Sequence, residues 1–93
     1  MNKENLKIAR KKVDEIDKKI FLLIKKRTNI VKRMLLLKKN KNEIVDKKRI
    51  NEILKNIRKK SLKNKIDPEI TKKIWKSMIW SYVAFQRKNF KKK

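Results

Sequence analysis

Four side chains stand where chemistry could be done: Arg10, Arg27, Lys38 and Gln86. Arg27 falls on a beat of an apolar rhythm. Leu6, Ala9, Val13, Ile16, Ile20 and Leu23 precede it, and Ile30, Met34 and Leu37 follow, always three or four residues apart. An unpaired guanidinium at an inward position is costly, so Arg27 needs an anionic partner. None lies three or four residues away on its own helix, where Leu23, Ile24, Ile30 and Val31 are all apolar. Lys38 lies eleven residues on, at nearly the same bearing and about 16 Å along the axis. Gln86 follows Ile79 and Tyr82 on an otherwise apolar stripe. The plainer reading of each polar group is a snorkelling stem or a rim residue; it suits Lys38 best, and it suits Arg27 and Gln86 less because both sit inside a pattern. Arg10 is about 25 Å from Arg27 along one helix, so the two cannot share a pocket within a chain. In a dimer with antiparallel long helices, the partner's Arg10 could reach it. Such a pocket holds cations, few acids and one neutral amide, which suits a small ligand with two carboxylates. It lacks a general base and a nucleophile. Chemistry there proceeds by holding and polarising the substrate.

Composition narrows the alternatives. The chain has 93 residues, enough for one domain. Without cysteine there is no disulfide, thiolate nucleophile or zinc knuckle, and without histidine the commonest base and metal ligand is missing. No metal and no cofactor is expected. Without glycine, no phosphate-cradling loop and no tight turn at positive φ is expected. The segment MNKENLKIARKK has no apolar h-region and no apolar run approaches a membrane span, so a cytoplasmic chain with no membrane association is expected. The formal charge of +23 invites a nucleic-acid reading. Yet Lys, Asn and Ile, residues of A/T-rich codons, make up 48 of the 93 positions. The basic residues are also spread evenly, with 10, 12 and 10 in successive thirds. A dedicated nucleic-acid face would be clustered, so codon bias explains the charge and no specific nucleic-acid partner is expected. A non-enzymatic basic helical protein that binds nucleic acid remains as an alternative function.

The elements that would carry these groups are helices. The three-four rhythm predicts one long helix over about 5–39. KKNKNEIV, residues 38–45, breaks the rhythm and reads as a connection. Asp46 is an N-cap for a second helix over 47–62, with Ile50, Ile53, Leu54 and Ile57 on one face. LKNKID connects to a third helix over 68–90, started by Asp67-Pro68 and carrying Ile70, Ile74, Trp75, Met78, Ile79, Tyr82, Val83 and Phe85. The tail KNFKKK reads as frayed. Two shorter helices cannot cover the whole stripe of the first. An all-α fold of three helices, intertwined as a homodimer, is therefore expected.

IARKKVDEIDKKIFLLIKKRTNIVKRMLLLKK resembles the first helix of the all-α, type II chorismate mutases: an arginine, an I-D-x-x-D-like segment, a mid-helix arginine and a closing lysine. VDKKRINEIL is similar to their second-helix D-x-x-R-E-x-x-I-L, and the third helix ends with their glutamine. The resemblance spans residues 6–90 and implies a single domain over 1–93. It implies an intertwined dimer with two equivalent sites, each taking Arg27 from its own chain and Arg10 from the partner for substrate carboxylates. Lys38 and Gln86 would donate to the ether oxygen, with Lys38, Gln86 and Arg27 as the catalytic set. Asp46 and Arg49 would shape the wall around the ring hydroxyl. The reaction would be the Claisen rearrangement of chorismate to prephenate, in phenylalanine and tyrosine biosynthesis. Two positions depart from that pattern. Ile50 replaces the glutamate expected after Arg49, and Tyr82 replaces a small polar residue four before the glutamine. Both look like the isochorismate-pyruvate lyases of the same fold, which form salicylate, and relatives acting on aminochorismate share the apolar residue. The resemblance therefore leaves chorismate, isochorismate or aminochorismate open as substrate.

Overall fold

The computed structural model describes residues 3–91. It contains three α-helices, α1 (Lys3–Leu37), α2 (Lys47–Lys63) and α3 (Pro68–Asn89), and a 3-10 turn at Lys41–Glu43. No strand occurs among the described residues. The chain divides into two compact units after Val31.

The first unit is the leading part of α1. With no Gly or Pro between Lys3 and Leu37 nothing interrupts the 35-residue helix, which rises about 50 Å. Glu4 in its first turn complements the helix dipole. Between Lys3 and Val31 every residue is exposed except half-buried Arg27 and Thr28 and buried Val31. The predicted stripe thus lies open in the single chain: Val13, Ile16, Ile20 and Leu23 are about half exposed or more, from 47% to 62%. Arg27 is half-buried rather than sealed within the chain.

The second unit holds the end of α1, the connection, α2 and α3. Its core is Leu35, Ile44 and Val83, with Val45 and Phe90 packed against them. Asp46 caps α2 by accepting from Arg49 N at 3.0 Å, and Asp67 caps α3 by accepting from Glu69 N at 2.9 Å, with Pro68 in the first turn. Ile50, Ile53, Leu54 and Ile57 are all half-buried, as their shared face requires. α2 and α3 pack on one another, and a partly buried hydroxyl pair, Ser61 to Thr71 at 2.6 Å, ties them.

Three expectations are corrected. Ile70 and Ile74 are 55% and 52% exposed, since they lie on the side of α3 away from Ile79, Val83 and Gln86, which the helix turns inward. The tail is not frayed at Phe90, which packs against the core cluster; Lys92 and Lys93 lie outside the described residues. A turn at positive φ exists without glycine: Lys65 sits at φ 58°. There α2 ends in a Schellman motif, in which Ile66 N donates to Ser61 O at 2.9 Å and Lys65 N to Leu62 O at 3.4 Å. These bonds satisfy terminal carbonyls and hold a lysine where its Cβ is crowded.

Candidate active site

Lys38 is the first residue beyond α1. Its N–H closes the last turn on Leu35 O at 3.2 Å, and the next N–H, of Lys39, donates to the Glu43 carboxylate at 2.9 Å. The chain leaves the helix there in a fixed direction. Gln86 is on the inward side of α3 and only 7% exposed. Across 48 positions of sequence, Lys38 Nζ donates to Gln86 Oε1 at 2.7 Å. Gln86 Nε2 in turn donates to the Tyr82 carbonyl at 3.2 Å, one turn earlier on α3.

These two bonds orient the amide. An ammonium only donates, so the amide oxygen must face Lys38, and the NH₂ group then meets the Tyr82 carbonyl. An ammonium has three N–H groups and an amide nitrogen two, so both retain donors for a ligand. Donors held in place by the chain's own groups are what stabilising charge that develops during a reaction requires. Neither group is a base or a nucleophile. No group of three or more His, Cys, Asp or Glu placed to hold a metal occurs among the described residues.

The other predicted site residues fall as follows. Tyr82 and Ile50 are half-buried. Asp46 is exposed, and its carboxylate is engaged as the α2 cap. It borders an open groove with Lys41, Glu43, Val45, Lys47 and Arg87. Arg49 is exposed and reaches Glu52 at 4.0 Å, both side chains more than half accessible, so this ion pair adds little to stability. Arg10 and Arg27 belong to the first unit, one exposed and one half-buried. The described chain thus joins Lys38 to Gln86 and leaves Arg10 open to solvent.

A family model described as chorismate mutase type II matches residues 9–87. The chain belongs to that family. No curated protein and no solved structure matches it. The type II chorismate mutase match takes in Arg10, Arg27, Lys38, Asp46, Arg49, Ile50, Tyr82 and Gln86, and it stops short of Phe90. Reading the sequence missed two supports of the pair. Glu43 fixes the main chain just after Lys38, and the Tyr82 carbonyl fixes the amide. Only the second had a signal, the four-residue spacing from Tyr82 to Gln86. Among the described residues no helix is long and apolar enough to cross a membrane.

Proposed function

We propose that the chain is a chorismate mutase that converts chorismate to prephenate, for phenylalanine and tyrosine synthesis. The observation that supports this most is the partly buried contact between Lys38 and Gln86 in a member of this family. In the Claisen rearrangement one C–O bond breaks as one C–C bond forms within the same molecule. No proton is transferred and no cofactor is required. The breaking ether oxygen gains negative charge, and Lys38 and Gln86 donate to it. Arg27 and the partner's Arg10 pair with the two carboxylates and hold the substrate folded, which removes much of the entropy of reaching the transition state. Asp46 and Arg49 form the wall near the ring hydroxyl. The open apolar stripe of α1 supports a homodimer, in which a second copy covers that stripe and supplies Arg10. The protein acts in the cytoplasm.

A second reading, isochorismate-pyruvate lyase, is favoured by Ile50 and Tyr82. An apolar side chain at Ile50 cannot accept a bond from the ring hydroxyl, which removes one means of selecting chorismate. Incubating the pure protein separately with chorismate and with isochorismate decides between the two. Prephenate from chorismate, with no salicylate from isochorismate, is the expected result. Salicylate and pyruvate from isochorismate, with chorismate untouched, would replace the mutase by the lyase.

A further inference from the structure

We propose that Phe90 is a positioning residue for the Lys38–Gln86 pair, a role that rests on the proposed chemistry at that pair. α3 stops at Asn89, whose Nδ2 donates back to the Phe85 carbonyl at 2.8 Å. Phe90 then leaves the helix at φ −65° and ψ 131°. Its φ is still helical, so its ring, seven residues after Val83, continues the buried side of α3 onto the cluster of Leu35, Ile44 and Val83, and the extended ψ turns only the chain that follows. Its neighbours Lys88, Asn89 and Lys91 are polar and exposed, so Phe90 is what anchors this end of the chain.

The cluster lies at the roots of both donors. Leu35 is three residues before Lys38 and accepts the N–H of Lys38. Val83 is three residues before Gln86, on the buried side of α3. Ile44 belongs to the connection that Glu43 ties to Lys39. Phe90 is four residues after Gln86. One apolar cluster thus clamps the end of α1 to the end of α3, and the 2.7 Å contact between Nζ and Oε1 spans the same two elements. A phenylalanine ring contributes more apolar area than most side chains in such a cluster. Without it the two ends can slide, and a misplacement of about 1 Å at reacting groups costs about 10²-fold in rate.

The test uses the full-length chain with Phe90→Ala, Phe90→Leu and, as a control, Ile57→Ala, which trims half-buried packing elsewhere in α2. Turnover, thermal midpoint and the side-chain amide signals of Gln86 are measured for each. Gln86 is the only glutamine, so ¹⁵N-glutamine labelling gives one pair of side-chain N–H peaks. For Phe90→Ala, kcat falls about 10²-fold with KM within a few-fold, and the Gln86 peaks move toward free-amide positions. Phe90→Leu restores both to near the parent, and Ile57→Ala lowers the midpoint while leaving kcat and the peaks in place. If Phe90→Ala does not fold, Phe90→Val takes its place with the same expectations. Equal effects of Phe90→Ala and Ile57→Ala on kcat and on the Gln86 peaks would overturn the proposal. If the parent turns over neither substrate, the proposed function fails, and the Gln86 peaks alone decide whether Phe90 holds the pair.

Discussion

Exchanging Gln86 for glutamate removes one hydrogen-bond donor and changes little in shape. In the parent, Oε1 accepts from Lys38 at 2.7 Å, and Nε2 donates to the Tyr82 carbonyl at 3.2 Å. The glutamate keeps an oxygen facing Lys38, so the lysine stays anchored. Its second oxygen replaces Nε2. When ionised, that oxygen has no hydrogen for the Tyr82 carbonyl or for a substrate ether, and it sets a carboxylate against developing negative charge. Loss of one such donor costs about 10²–10³ in rate, or about 2.7–4 kcal/mol of transition-state stabilisation. Gln86→Glu is therefore expected to show that loss in kcat at pH 7.5. Only the protonated acid has a hydrogen to give, so log kcat rises by up to about one per unit of falling pH until the acid is protonated. The parent has no histidine and varies little over the same range. Initial rates of chorismate loss from about pH 5 to 8, with circular dichroism at each pH, test this. Near-parent activity of Gln86→Glu at pH 7.5 would refute the placement of Gln86 at the ether oxygen and leave the chemistry to Arg27 and Lys38.

Sedimentation at micromolar concentration should give about twice the chain mass of 11.4 kDa, because the exposed α1 stripe needs a cover; a folded, active monomer would contradict the shared site. Arg10→Ala and Arg27→Ala should each be nearly inactive, yet a mixture under proven subunit exchange should recover some activity, since a heterodimer has one site with both lesions and one with neither. No recovery would place Arg10 outside the partner's site. Lys65→Gly should raise stability by about 0.5–1 kcal/mol, because the gain at left-handed φ exceeds the entropy that glycine adds to the unfolded chain. A thermal midpoint measured at fixed protein concentration should rise by several degrees, and a fall would mean that Lys65 makes a favourable contact that outweighs its backbone strain.

The helices were legible because local rules act strongly here. The unbroken three-four rhythm and the absence of Gly and Pro gave α1 within two residues at each end, and Asp46 and Asp67-Pro68 marked the starts of α2 and α3. Their ends fell within one residue too, at Lys63 and Asn89, but the form of the α2 end was hidden. The Schellman end at Lys65 carries no glycine to announce it, so composition alone argued against such a turn. Phe90 is a single hydrophobe among lysines and asparagine; its four-residue step from Gln86 continues the inward side of α3, but only the fold shows that a cluster waits for it. Ile70 and Ile74 are apolar yet lie roughly opposite the Ile79–Val83–Gln86 side of α3, and with apolar residues on both sides composition did not say which side another element covers. The site was legible in part. Resemblance named Lys38 and Gln86, and the fold adds the orientation of the amide, which the donor-only Lys38 sets on one side and the Tyr82 backbone carbonyl on the other.

The strained lysine at the end of α2 also bears on how this sequence can change. Lysine codons are AAA and AAG, and every glycine codon begins with GG. Relieving the strain at Lys65 with glycine takes substitutions at both leading bases, each toward the composition that this chain avoids. Asparagine, the other residue that tolerates left-handed φ, is one third-position change away and keeps the codon rich in A and T. The mutationally near solution at Lys65 is therefore asparagine, and relatives that share this turn and the same base composition should carry asparagine there more often than glycine.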